Sequence, residues 1–233
     1  MNEINVDDDK IINIIPQSIV VVGDATFFSR SYGVLIFREP NLKINLIWKE
    51  IRTETPGKYE QLKLELESAG FVIKAAVLDG KRGVRNIFSD IPVQMCHFHQ
   101  VAIVNRYLTR KPKLESGKEL RKITLSLTKS TEIKFSKILD NWYKKWNLFL
   151  KEKTINPVTG RWHYTHKRIR SAYRSLKNNL PYLFTYQKHS ELNIPNTTNS
   201  LDGSITTLKN SIRIHRGINQ KNRYKIICQI LKK

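Results

Sequence analysis

Cysteine is scarce in this chain: Cys96 and Cys228 stand alone among 233 residues. Two thiols that far apart supply neither a disulfide framework nor the four ligands of a zinc ribbon. Long apolar runs are also missing. The most apolar one, Ile11 to Val22, is interrupted by Asn13, Pro16, Gln17 and Ser18 and cannot span a bilayer. The acidic start, Asp7-Asp8-Asp9, is the wrong sign for a secretory leader. Repeats and low-complexity tracts are absent as well. Together these absences exclude a disulfide-stapled scaffold and a membrane span, and leave a soluble protein of a reducing compartment as the expectation.

Acidic residues are few too, 20 against 41 Lys and Arg, for a net charge of +21. That imbalance is the electrostatic footprint of a polyanion binder. Ribosomal and membrane-surface proteins share it, so charge does not choose the partner. The bias is uneven. The first hundred residues mix both signs, whereas Lys and Arg dominate from Arg106 onward. With 40% hydrophobic and 9% aromatic residues there is apolar material for a sizeable core, against wholesale disorder.

After a polar lead-in with a short amphipathic piece (1–17), residues 18–28 form a valine-rich run typical of a strand buried on both faces. Tyr32 to Arg38 and Lys43 to Ile51 read as two further strands around the turn Glu39-Pro40-Asn41. Pro56-Gly57 opens a helix that Gly70 stops. A strand from Phe71 to Leu78, a short helix at Val84–Phe88, a strand from Pro92 to Phe98 and a helix from Gln100 to Thr109 follow. The order β-β-β-α-β-α-β-α predicts an α/β protein with an RNase H-like mixed sheet and flanking helices. From Lys111 strand signals vanish, and an all-helical insertion is expected. The predicted organisation is residues 1–110 as the first part of the core, 111–185 as the insertion, and 186–233 as the return to the core with a basic C-terminal helix.

Three acids stand where chemistry is expected. Asp24 ends the most buried-looking run, where an ionised carboxylate is costly unless paired or metal-bound; a turn cap toward Thr26 or Ser29 is the plainer alternative. Asp79 ends the strand Phe71–Leu78, where open α/β sheets place ligands, although Asp-Gly is also an ordinary turn. Asp202 lies in the first turn of a basic helix, where Asn199 as N-cap would make an approximate capping box. Meeting at one place, the three carboxylates suit two Mg2+ or Mn2+ ions, hard cations that prefer oxygen ligands. Two basic stripes suit a phosphodiester backbone. Arg161, Lys167, Arg170, Arg174 and Lys177 fall in a stretch with Trp162, Ile169, Tyr173 and Leu176 on the other face, and Lys209, Arg213 and Arg216 trail Asp202 along its helix.

The segments Val22-Gly23-Asp24-Ala25-Thr26, Val77-Leu78-Asp79-Gly80, Cys96-His97-Phe98-His99-Gln100 and Thr197-Thr198-Asn199-Ser200-Leu201-Asp202-Gly203, followed by Arg213-Ile214-His215-Arg216-Gly217, carry a resemblance over residues 18–217. The chain resembles the catalytic part of DDE transposases of the bacterial insertion-sequence group related to Mutator elements. The resemblance implies an RNase H-like core split by a helical insertion before the third acid. It implies Asp24, Asp79 and Asp202 as the catalytic, metal-holding triad, with DNA cleavage and strand transfer at element ends as the activity. Many relatives carry Glu where this chain has Asp202, one methylene shorter; Glu191 is the fallback. Cys96 and His99 match the family's Cys-x-x-His pair, for which packing, DNA contact and metal binding stay open. His97, expected on a strand, would point the other way. The N-terminal recognition region of relatives is not visible here, so a catalytically impaired remnant that only binds DNA is the alternative. DNA and further copies of the chain are the expected partners, without a membrane, in the bacterial cytoplasm at the nucleoid.

Overall fold

The computed structural model describes residues 14–214 and 217–232. Arg216 and most of the lead-in therefore lie outside the described residues. Strands β1 (Ser18–Ser29), β2 (Tyr32–Glu39) and β3 (Ile44–Ile51) run antiparallel in succession. Helix α1 (Pro56–Ser68) follows, then β4 (Val72–Leu78), α2 (Val84–Ile87), β5 (Val93–Met95) and α3 (His97–Leu108). The result is a mixed five-stranded sheet of order β3-β2-β1-β4-β5, in which β4 joins β1 in parallel and β5 joins β4 in parallel.

The valine run is the central strand for a simple reason: both of its faces have apolar partners. Ile19 and Val21 pack toward Leu62 and Leu66 of α1, whereas Val20 and Val22 pack on the opposite face. There they meet two late helices, α8 (Asn199–Ile214) and α9 (Gln220–Leu231), through Leu201, Leu208, Ile227 and Leu231. Each aliphatic side chain so enclosed contributes roughly 1.5–3 kcal/mol relative to exposure. Helix α9 is further tied to the sheet: Asn45 Nδ2 donates to the Leu231 carbonyl at 3.0 Å, and the Trp48 indole N–H points at Cys228 Sγ at 3.3 Å.

Between α3 and α8 lies a helical body built from α4 (Glu115–Leu125), α5 (Glu132–Lys151), α6 (Lys167–Leu183) and the short α7 (Thr185–Lys188). Its core of Leu120, Phe135, Leu139, Trp142, Ala172 and Leu176 is shared with Met95, Val104 and Leu108, so α3 belongs to both packing regions. Among the described residues no helix is long and apolar enough to cross a membrane.

Two expectations fail here. The insertion is not all-helical, because β6 (Lys153–Ile155) and β7 (Trp162–Tyr164) form an antiparallel hairpin between α5 and α6. Pro157 cannot donate to a helix, Asn156 Oδ1 accepts instead from the Val158 and Thr159 amides, and Gly160 takes a φ of +66° to close the loop. Arg161 and Trp162 are consequently on this hairpin and not on a helical stripe. The strand expected to reach Phe98 stops at Met95, because the chain turns into α3 at Cys96, whose carbonyl accepts from the Gln100 amide at 3.0 Å.

Candidate active site

The parallel register of β1 and β4 sets Val22 beside Val77 and Gly23 beside Leu78. Val22 and Val77 both face α8 and α9. Asp24 and Asp79 come two residues later, so strand alternation brings them out on that same face, one strand spacing apart. Gly23 leaves little room for a side chain there. A Cβ on it would stand 3.0 Å from a Phe37 ring carbon and 3.4 Å from the Tyr59 ring. Helix α8 crosses this face with Leu201, Ile205, Leu208 and Ile212 buried as a stripe, and Asp202 follows Leu201 in its first turn.

The three acids lie near enough for the charges of Asp79 and Asp202 to act on Asp24. Burial chiefly, and then the charges of Asp79 and Asp202, push the Asp24 carboxyl up to about 7 against the pull of His99 and of the Ala25 amide. The Ala25 amide donates to Asp24 Oδ1 at 2.8 Å. The strand continues unbroken to Ser29, so Asp24 does not cap a turn toward Thr26 or Ser29. Asp79 does take part in an Asp-Gly turn: its Oδ1 accepts from the Lys81 amide at 2.7 Å, and Gly80 has a φ of +87°. Asp202 has a different partner from the one expected. Its Oδ2 accepts from the Thr198 hydroxyl at 3.1 Å, so the anchor is Thr198 and not Asn199.

Thr198 is fully buried, and its hydroxyl also lies 3.4 Å from Cys96 Sγ. Cys96 in turn contacts His99. Burial would raise the thiol, but its hydrogen-bond contacts with His99 and Thr198 turn the net shift downward. His99 is itself raised to about 9; burial opposes this, and contact with Cys96 followed by the charges of Asp24 and Asp79 overcomes it. The Cys-x-x-His pair therefore links Asp202, through Thr198 and Cys96, to His99, whose charge acts on Asp24 and Asp79 through space. His97 is turned away, at the start of α3 and not on a strand; its Nε2 lies 2.6 Å from the Leu183 carbonyl, and its ring packs edge-on to Phe184 and Tyr186. Glu191 is exposed beside His189 and takes no part.

No family model matches this sequence, and no curated protein matches it.

Two residues at the site carried no signal of their own in the sequence. Thr198 was one more polar residue in a Thr- and Asn-rich loop. Glu54 accepts from the Tyr59 hydroxyl at 2.8 Å and pairs with Lys81 at 3.4 Å, which brings a fourth carboxylate toward the Asp79 turn. Among the described residues no group of three or more His, Cys, Asp or Glu side chains is placed to hold a metal ion.

The basic residues divide into exposed and engaged. Arg161, Lys167, Arg174, Lys209 and Arg213 are exposed. Arg170 instead donates to the Leu150 carbonyl at 2.7 Å and lies 3.5 Å over the Tyr164 ring, while Lys177 pairs with Asp140 at 3.0 Å. Arg216 lies outside the described residues. Lys209, Arg213 and Arg223 line, with Phe27 and Phe28, a cavity of about 380 Å³ further along β1 from Asp24.

Proposed function

We propose that this protein is the catalytic domain of a DDE-type transposase, cutting DNA at element ends and joining the freed end to target DNA. The observation that carries the reading is the gathering of Asp24, Asp79 and Asp202 on one face. The two acids of adjacent parallel strands face the acid of a helix that arrives more than a hundred residues later. The strand order and directions agree with an RNase H-like core, and the exposed basic residues supply a surface for a phosphodiester backbone.

The donor set fits a pair of divalent cations. It consists of carboxylate oxygens, and burial first, with Asp79 and Asp202 adding to it, holds the Asp24 carboxyl high, so a cation beside it would favour its ionised form. Asp24, Asp79 and Asp202 would hold the ions, because hard cations prefer carboxylate oxygens. Bound there, Mg2+ or Mn2+ supplies Lewis-acid stabilisation of the charge on the phosphate oxygens and a nucleophile at neutral pH. The protein's own groups do the positioning. Thr198 aims Asp202, Cys96 holds Thr198, and the His99 cation offsets part of the charge of Asp24 and Asp79. In the first step water attacks phosphorus and gives up a proton to solvent, while the bond to O3′ breaks and O3′ takes up a proton. In the second the freed 3′-hydroxyl loses its proton to solvent as it attacks a target phosphodiester, and the displaced target 3′ oxygen takes one up. Action on paired ends calls for more than one copy on the DNA, in a bacterial cytoplasm at the nucleoid.

The test compares wild type with Asp79→Ala on duplex ends carrying a pre-made nick, with Mg2+ or Mn2+. The reading expects equal binding, with cleavage and joining by the wild type alone. Equal binding without cleavage by either protein would leave only a DNA-binding remnant, and preferential cutting of RNA–DNA hybrids would change the substrate.

A further inference from the structure

The β6–β7 hairpin is the part of the molecule whose surface chemistry is not explained by its own packing. Its base is firmly held. Thr154 and Thr165 hydroxyls lie 2.8 Å apart, His166 stacks on Phe149 at 3.6 Å and pairs with Glu152 at 2.9 Å, and Arg170 covers Tyr164. Its loop is equally fixed, with the Asn156 amide donating to the Arg161 carbonyl at 2.9 Å and the Gly160 amide to the Asn156 carbonyl at 2.9 Å. Yet its outer end is apolar and uncovered. Val158 at the apex is 91% exposed, and the cross-strand pair Ile155 and Trp162 are 66% and 55% exposed. A two-stranded ribbon of this kind is marginal alone, and exposed large apolar groups mark contact surfaces.

The charge around that tip selects the partner. Residues 151–168 carry Lys151, Lys153, Arg161, Lys167 and Arg168 against the single acid Glu152, which faces His166. Lys153 Nζ sits 4.0 Å over the Trp162 ring. A rigid aromatic beside cations, on a ribbon narrow enough for a major groove about 12 Å wide, matches nucleic acid rather than an apolar protein groove. We propose that the hairpin is a DNA-contacting finger: Trp162 stacks on an unstacked base, Val158 wedges against the neighbouring step, and Lys153, Arg161 and Lys167 hold the flanking phosphates. The assignment rests on DNA being the partner, as in the proposed function, but involves none of the acids.

The experiment uses the full chain and a nicked duplex with 2-aminopurine beside the nick, at one fixed salt concentration. Wild type should bind and raise the 2-aminopurine fluorescence as the base leaves the stack. Trp162→Ala should bind about 5- to 160-fold more weakly, the range expected for losing one base–aromatic stack, and abolish the fluorescence rise. Trp162→Phe should retain most of both. Val158→Asp, at a site that packs on nothing, should lose the fluorescence rise with an unchanged thermal midpoint, and Lys153→Gln should lower the salt slope by about 1. Asp24→Asn separates the two readings, since it should bind and unstack normally while failing to cleave. Wild-type cleavage with Trp162→Ala indistinguishable in affinity and fluorescence overturns the finger alone. Trp162-dependent binding by a wild type that never cleaves overturns the nuclease reading alone. Trp162-dependent binding of duplex RNA or of a protein, without DNA binding, overturns the choice of DNA.

Discussion

Replacing Asp24 by Asn should make the metal-free protein more stable and chemically inert. The side chain keeps its shape and its Oδ1 acceptor for the Ala25 amide, so what changes is charge. In the folded protein the carboxyl has moved from 3.8 to about 7, with burial as the largest cause and Asp79 and Asp202 adding to it. At about 1.36 kcal/mol per decade this corresponds to about 4 kcal/mol of stability. The direction follows from proton uptake. Between these two pH values the folded state binds the proton more tightly than the unfolded chain, so the contribution is complete below pH 3.8 and is lost as pH rises through about 7. Asn behaves as the permanently neutral form and escapes that loss.

Asp24 is half-buried rather than sealed, so water recovers part of the difference and we expect about 2–4 kcal/mol at pH 8, or roughly 5–15 °C in the unfolding midpoint. Thermal unfolding with EDTA across pH 4–9 reads it directly: wild type should lose stability relative to Asp24→Asn as pH rises, and the two curves should converge at the acidic end. Adding Mg2+ at pH 8 should raise the wild-type midpoint and leave the variant unmoved. Parallel curves at every pH, or an equal response to Mg2+, would refute the argument that like charges are concentrated at Asp24.

Other consequences are as direct. Thr198→Val leaves Asp202 Oδ2 and Cys96 Sγ without their shared partner, so it should cost about 1–3 kcal/mol in denaturant unfolding, with Thr198→Ser restoring most of it. Gly23→Ala drives a methyl to 3.0 Å from the Phe37 ring, and should destabilise by about 1–3 kcal/mol, with the flanking Asp24 displaced and cleavage reduced in proportion. If six or more phosphates are contacted, affinity for DNA measured by anisotropy should fall by about 10³–10⁵ between about 50 and 200 mM salt. A flat titration would count against the basic surface.

The sheet was legible because its pattern is local. Alternate and continuous burial of valines, a Pro-Gly helix start and a glycine stop each act within one element, and the sequence order of the first eight elements matches the structure. The hairpin is hidden in the sequence because Trp162 falls at helical spacing from Ile169, Tyr173 and Leu176. Periodicity alone cannot see that Pro157 and Gly160 place a turn before the pattern begins. The α3 start is hidden for another reason: nothing local signals that the His97 amide finds the Asn196 carbonyl at 2.9 Å, a partner 99 positions away. Asp79 is legible as a strand end and Asp202 as a helix start, whereas Asp24, which closes the apolar run in the sequence, lies in the middle of β1 opposite Ile36. Their common face required the β1–β4 register, and the part played by Cys96, His99 and Thr198 required the tertiary contacts.

That linkage bears on how the third acid reaches the other two. Asp202 comes from a helix separated from α3 by the whole helical body, so closing the loop costs chain entropy that grows only slowly with its length. The position of α8 does not depend on the length or shape of what lies between. It depends on the apolar stripe Leu201, Ile205, Leu208 and Ile212 against the sheet, on the His97–Asn196 backbone bond, and on Thr198 seated between Cys96 and Asp202. Two of these three anchors lie within Cys96-His97-Phe98-His99. The segment that carries His99 toward Asp24 and Asp79 is thus the same one that holds the start of α8 in place. Shortening the hairpin between α5 and α6 should therefore leave the pH dependence of Asp24 intact, whereas Cys96→Ala should weaken it together with the hold on Asp202. A hairpin deletion that altered the pH profile as strongly as Cys96→Ala would show that the helical body, and not this segment, sets the site.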